Sequence, residues 1–392
     1  MTDSVSLPVD GTPLHPSPSL DTWREEGPVV RMTFSDGHVG WLVTDYALGK
    51  KVLEDPRFSQ RPQRFPGPAT PASGPSVWEV DDRAKEAKVA DILTLDGDQH
   101  LRLRRSLLPH FSVRAVRGYE DAVTEIVDTT LRRFTSHGSP ANLTEEFSEP
   151  ISAAVHCHVM GVPKHMEGDF VRLFVRPASS HDRVAFVREV IDFRRRNPGE
   201  DAISGLIAGD LSDAEVDGLV IELFTSGRDS VAYMITTATH ALLSHPEQLE
   251  ALRENLDLLP LAIEEFMRFG TMFLTVFART PTEDVTFDEV TFLAGESVSV
   301  SPVAANRDPS QFSEPHRFDV SRDARGHLGF GHGLHGCVGQ QLARLEIRIA
   351  LTALITRLPG LELVSAEAAS LMPFAHPVAT YQAGALTVSW RE

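Results

Sequence analysis

The run from Phe330 to Gly339 reads F-G-H-G-L-H-G-C-V-G, a lone cysteine in a glycine-rich loop that leads straight into an amphipathic segment. Gly331, Gly333, Gly336 and Gly339 free the backbone for positive φ and for close approach to a large flat object. Val338, Leu342, Leu345 and Ile349 recur at helical spacing, so Cys337 is expected at a helix start, where unpaired N–H groups favour thiolate over thiol. The chain must therefore build a rigid loop-to-helix corner that presents one sulfur, an arrangement suited to binding a metal through a single thiolate.

Three plainer readings compete. A single cysteine is usually a small buried hydrophobe, and the local glycine density weighs against that. Gly331, Gly333 and Gly336 satisfy G-x-G-x-x-G, yet Ala324 to Leu328 do not form the apolar strand that a dinucleotide turn must follow. Zinc held by His332, His335 and Cys337 lacks a fourth ligand at local spacing, because the other cysteine, Cys157, lies far upstream.

With 392 residues and 42% hydrophobic content, the chain supports a large core. It shows no internal repeat and no Ser/Gly-rich linker, so one domain is expected, with Pro62 to Pro75 as a long loop. No run approaches the roughly 18 apolar residues of a membrane span. Met1 to Pro18 lacks the basic and apolar regions of a secretory signal, and two distant cysteines make no disulfide framework. A cytoplasmic location is the expectation. A net charge of −18 argues against nucleic acid as a partner, since like charges repel. Against that acidic background, His100 to Tyr119 holds five arginines, two histidines and no carboxylate, a basic island suited to an acidic partner.

Alternating β-type residues predict a hairpin over about 29–44, turned at Ser35, Asp36 and Gly37, followed by a helix over Tyr46 to Glu54. Helical patterns dominate from about His100 to Leu358, with β-rich stretches at Val285 to Val303, turned at Ala294 to Glu296, and at Leu361 to Trp390. The class is mainly α with small antiparallel β-sheets. Ser212 and Glu215 form a capping box that opens one long helix over about 213–244, roughly 50 Å at 1.5 Å per residue. Its middle, Ser226 to Val231, breaks helix rules: a glycine there costs about 1 kcal/mol, and Asp and Ser compete for backbone hydrogen bonds. Such local violations tend to mark function, the plainer reading being a tolerated helix kink or a close helix crossing.

The decapeptide resembles the haem loop of the cytochrome P450 monooxygenases, F-x-x-G-x-x-x-C-x-G, and four further segments match that family in order. The resemblance implies the triangular single-domain P450 fold over residues 25–392, behind an N-terminal extension of residues 1–24. It implies haem b ligated by Cys337, with Phe330 and Gly339 in its loop and His100, Arg104, Arg279 and His335 toward the propionates. Ser226 to Val231 matches the oxygen groove: Gly227 would leave room for dioxygen, Asp229 would be the acid of a proton relay, and Ser230 stands where threonine is usual. Glu265 and Arg268 match E-x-x-R, with Arg317 expected to complete a buried network. No flavin or nucleotide motif is read in the chain, so electrons are expected from NAD(P)H through an external ferredoxin and reductase. An acidic ferredoxin would dock at the basic face near Arg102, Arg105 and Arg114, with Arg344 and Arg348.

The implied reaction is hydroxylation or epoxidation of a mid-sized apolar natural product in secondary metabolism, antibiotic biosynthesis included, by a monomeric enzyme. Oxidative coupling with C–S or C–C bond formation is the alternative enzyme reading, and a haem-based sensor the alternative from another class. Pocket walls are expected around Trp78 to Leu95, Phe170 to Phe186, Leu223 to Ser230, Met272 to Phe277 and Phe374 to Val378. Arg228 either pairs with a carboxylate of the protein, the favoured reading, or meets an anionic or carbonyl-bearing substrate.

Overall fold

The computed structural model describes residues 4–34, 37–61, 76–227, 229–373 and 378–391. Arg228, the Pro62–Pro75 loop, the turn residues Ser35 and Asp36 and most of the Phe374–Val378 wall lie outside them. The chain divides into two compact units. One comprises Met1–Ala72, Thr236–Cys337 and Leu361–Leu386, and the other Ser73–Ile235, Val338–Gly360 and Thr387–Glu392.

The first unit carries most of the β-structure. Strands Val29–Thr33 and Val39–Val43 pair antiparallel with Val29 opposite Val43, as the alternation predicts, and Gly37 takes a φ of 84° in the turn. Two further strands join this sheet in parallel: Val5–Ser6 beside Met32 and Thr33, and Val298–Val300 beside Trp41 to Val43. The sheet is therefore mixed, and Val5 and Ser6 are part of it. Parallel partners need long crossovers, so no local pattern announces them. The expected hairpin around Ala294 to Glu296 is displaced: Val285–Phe287 pairs with Val290–Phe292, turned at Asp288 with a φ of 52°. The Glu296 carboxylate instead accepts from Arg31 Nη1 at 2.9 Å and Trp41 Nε1 at 2.8 Å, tying the entry of Val298–Val300 to its neighbours. Helix Tyr46–Glu54 forms as predicted, capped by Asp45, whose carboxylate accepts from the Leu48 amide. Its buried face (Leu48, Val52, Leu53) packs with Val43, Phe58, Phe292, Val300 and Leu328 into one core.

The second unit is helical, with Gly97–Phe111, Glu120–Ser136, Glu149–Met160, Ser180–Arg196 and Gln340–Arg357 among its helices. The capping box at Ser212 and Glu215 is present. The expected single long helix is two: Asp213–Ser226 ends at Gly227, and a second helix, Asp229–Ser244, follows. The first helix stops at Ser226, within the stretch where the sequence breaks helix rules.

Helix Asp213–Ser226 is pressed against the distant helix Asp82–Ala87: a Cβ on Gly218 would stand 2.2 Å from the Ala87 carbonyl oxygen. Asp217, beside it, accepts from Arg83 Nε at 2.5 Å and Nη2 at 2.9 Å. Glu222 lies one turn further along the same face and is also buried. Burial, and then the Asp91 charge, push the Glu222 carboxyl from 4.5 up to about 8. A carboxyl held protonated by the fold weakens stability as pH rises above its unfolded value and on through its folded one. Glu222→Gln should therefore raise Tm more at pH 8 than at pH 5, and an equal gain at both would contradict this assignment.

Candidate active site

The cysteine loop is anchored before it reaches Cys337. The Leu328 amide donates to Asn306 Oδ1 at 2.7 Å, and Asn306 Nδ2 donates to Thr271 Oγ1 at 2.7 Å, both inside the core. His332 Nε2 hydrogen-bonds with Glu54 at 2.9 Å, and the Cys337 amide donates to the Phe330 carbonyl at 2.8 Å, closing the loop on itself. Of the four glycines, Gly331 and Gly333 adopt positive φ, 69° and 70°. Gly333 also meets helix Tyr46–Glu54 so closely that a Cβ would lie 2.7 Å from the Leu53 carbonyl oxygen. Cys337 itself is exposed. Phe330, His335 and Gly339 are half-buried around it in sequence, and helix Gln340–Arg357 starts with Gly339 as its N-cap. Cys157, by contrast, is buried, and burial pushes its thiol well above its ordinary range.

Behind the loop sits the charged network. Arg268 and Glu265 are both fully buried and face each other in a two-bond fork, Nε to Oε2 at 2.7 Å and Nη2 to Oε1 at 2.8 Å. Arg268 Nη1 also donates to the Asn306 and Pro315 carbonyls, each at 2.8 Å. The third cation is Arg322, not the expected Arg317: Arg322 Nε reaches Glu265 Oε1 at 3.2 Å. The Arg317 side chain is 58% exposed and bridges to Glu314 at 3.3 Å, contributing only its carbonyl oxygen to the network. Arg279 is buried too, its backbone bridged to Val298 and its Nη1 donating to Gln60. Nothing in the sequence near Gln60 announced that role.

The other residues singled out from sequence lie in the second unit. His100 and Arg104 share one face of helix Gly97–Phe111, His100 fully buried and Arg104 half-buried. Helices Asp213–Ser226 and Asp229–Ser244 are buried over most of their length, yet Ser226, Gly227 and Asp229 are exposed and Ser230 is half-buried. A largely buried helical stretch thus opens where the two helices meet. Asp229 begins the second helix, where its charge is favoured by the helix dipole. Its charge also acts on Glu149, whose carboxyl is raised by burial and held back by Arg176, 2.8 Å away. An acid and a hydroxyl therefore sit in sequence at an open point of an otherwise closed helix.

A family model described as Cytochrome P450 matches residues 175–359. Cytochrome P450 105C1 of a Streptomyces species is 36% identical over 388 residues, covering 96% of this chain and 95% of the relative. The chain belongs to the cytochrome P450 family. The 6-deoxyerythronolide B hydroxylase of Saccharopolyspora erythraea is 34% identical over 87% of this P450 and 88% of its own length. A crystal structure of CYP105P1 in complex with filipin I superposes with a TM-score of 0.85 at 31% identity, covering 99% of both chains. The fold is the P450 fold and the enzyme a P450 monooxygenase. Haem and an electron supply from a redox partner come with that membership.

The residues present fit the haem. One exposed thiol stands on an anchored loop, and among the described residues there is no group of three His, Cys, Asp or Glu side chains that could hold a metal ion. His332, a candidate zinc ligand, is directed to Glu54. Among the described residues no helix is long and apolar enough to cross a membrane.

Proposed function

We propose that this P450 binds haem b through Cys337 and hydroxylates or epoxidises a mid-sized apolar natural product in bacterial secondary metabolism. The exposed thiol of Cys337 on its anchored loop is the observation that carries the reading. Bound there, the haem supplies the reductive activation of dioxygen. His100, Arg104, Arg279 and His335 neutralise its propionates, and Phe330 and Gly339 shape its loop. Asp229 takes protons from solvent and Ser230 hands them on beside Gly227, the pair working as a relay at the open turn. Relatives named as a 6-deoxyerythronolide B hydroxylase and a mycinamicin IV hydroxylase/epoxidase support a macrolide or other polyketide as substrate.

Electrons come from NAD(P)H through a reductase and an acidic ferredoxin, in the cytoplasm. The docking face is basic and partly apolar: Arg105, Arg114 and Arg117 are exposed, with Leu108 and Val113 exposed among them. Arg102 contributes less to that face than its position suggests, because its guanidinium is paired with Glu215. Arg348 is likewise paired, with Glu120 at 2.7 Å.

Reconstitution with a ferredoxin, its reductase, NAD(P)H and a macrolide panel tests the whole reading. The expected product gains one oxygen, and the Arg105→Glu, Arg114→Glu double variant slows ferredoxin-dependent reduction roughly tenfold at low salt, with the difference shrinking as salt rises. Products that have lost hydrogen without gaining oxygen would favour oxidative coupling. No substrate-dependent NAD(P)H consumption would favour a sensor. A charge reversal without effect would move the docking face elsewhere.

A further inference from the structure

Gly227 has a backbone that any residue could adopt, with φ −95° and ψ −14°. Its lack of a side chain therefore answers a demand for space. A Cβ at 227 would lie 2.9 Å from Nδ1 and 3.0 Å from Cε1 of His156, while the nearest backbone atom, the Leu223 carbonyl oxygen, is 3.5 Å away.

His156 cannot step aside cheaply. It is buried on helix Glu149–Met160, stacked on Phe170 at 5.2 Å with ring planes 16° apart, and set edge-on to Phe224 at 5.5 Å. Phe170 and Phe224 in turn hold Phe174 at 5.2 and 5.4 Å, and Phe186 closes the set, 6.0 Å from Phe174. All four phenylalanines are almost fully buried, so a rotation of the imidazole must displace rings packed at interior density. Phe170, Phe174 and Phe186 belong to the segment between helices Glu149–Met160 and Asp213–Ser226, and Phe224 to the last turn before the break.

We infer that His156 is a positioning residue of the broken turn: its imidazole is the fixed wall that makes glycine obligatory at 227 and sets where the chain leaves one helix for the segment bearing Asp229 and Ser230. The size of residue 227 is then dictated from behind the helix, by a ring cluster shared with the segment around Phe170 to Phe186. Its catalytic meaning rests on the proposed role of Asp229 and Ser230; its structural content does not.

Four full-length proteins decide it: wild type, Gly227→Ala, His156→Val and the double variant. The readouts are amide hydrogen exchange across residues 223–231 and the C–O stretching frequency of the reduced carbonyl complex. In the wild-type background Gly227→Ala should speed exchange roughly tenfold and move the C–O frequency outside the wild-type band; with His156→Val the same change should alter exchange less than about twofold and leave the frequency in place. Equal effects in both backgrounds, or none in the wild type, overturn the inference. If Gly227→Ala yields no haem-loaded protein, recovered loading in the double variant supports it and continued loss overturns it. His156→Ala serves as a second relief variant should His156→Val be unstable. Failure of the proposed function looks different: the wild type would lack a thiolate-type carbonyl spectrum, while the exchange measurement, which needs no haem, would still decide the role of His156.

Discussion

Arg268→Ala should yield almost no folded, haem-loaded protein. The guanidinium it removes is fully buried and satisfies both oxygens of an equally buried Glu265. Removing one partner of such a pair leaves an uncompensated charge, which costs ~3–5 kcal/mol, a large part of the ~5–15 kcal/mol that separates a typical fold from its unfolded chain. The Asn306 and Pro315 carbonyls would lose their donor in the same stroke. Asn306 matters doubly, because its side chain holds the Leu328 amide at the start of the cysteine loop. Damage to the network should thus reach the haem loop through Asn306. Arg322→Ala removes the longer contact to Glu265 and the donors to the Ser313, Glu314 and Arg317 carbonyls but leaves the Arg268 fork in place, so it should be milder, and Arg317→Ala should stay within about 0.5 kcal/mol of wild type. Thermal midpoints and haem content per chain across the three variants check the order; a fully loaded Arg268→Ala protein with a wild-type midpoint would contradict it.

At the broken turn, Ser230→Ala should lower product formation by a factor of about 10²–10⁴, the usual weight of a positioned proton donor, with more of the NAD(P)H ending as hydrogen peroxide. Asp229→Asn should act in the same direction, since the amide keeps the shape of the side chain and loses the titratable proton. Ser230→Thr is the informative opposite. Serine rotates freely about χ1, whereas the added methyl restricts the hydroxyl to fewer orientations. That variant should raise the share of reducing equivalents recovered in product above the wild type. The ratio of product to NAD(P)H consumed is the measurement, and an unchanged ratio in Ser230→Ala would remove Ser230 from the relay.

Local chemistry made part of this legible from sequence. The capping box at Ser212 and the helix over Tyr46 to Glu54 lie within a few residues of their own signals, whereas the pairing of Glu265 with Arg268 follows from the family resemblance, and the sequence marks Ser226 to Val231 as irregular without ending the helix there. What sequence pattern could not reach was set by contacts between distant segments. Val298–Val300 joins its sheet beside Trp41 to Val43 in parallel, across more than two hundred intervening residues. Arg322 displaces Arg317 because the region from Asn306 to Leu328 is loop, where carbonyls rather than periodicity decide which guanidinium turns inward. The four loop glycines look equivalent as letters, yet only Gly331 and Gly333 use a left-handed conformation. Gly227 was read as room on the oxygen side, and nothing around it in sequence pointed to the imidazole of His156 behind it.

The most direct test of the central claim, that the Cys337 sulfur is the proximal ligand, is the absorption spectrum of the reduced carbonyl complex of the wild type beside Cys337→His. The wild type should show the strongly red-shifted Soret band of thiolate ligation, and the variant, if it holds haem, the band of a histidine-ligated haem. A wild-type protein that is colourless after haem supply, or whose carbonyl band already lies where histidine-ligated haems absorb, would contradict the account.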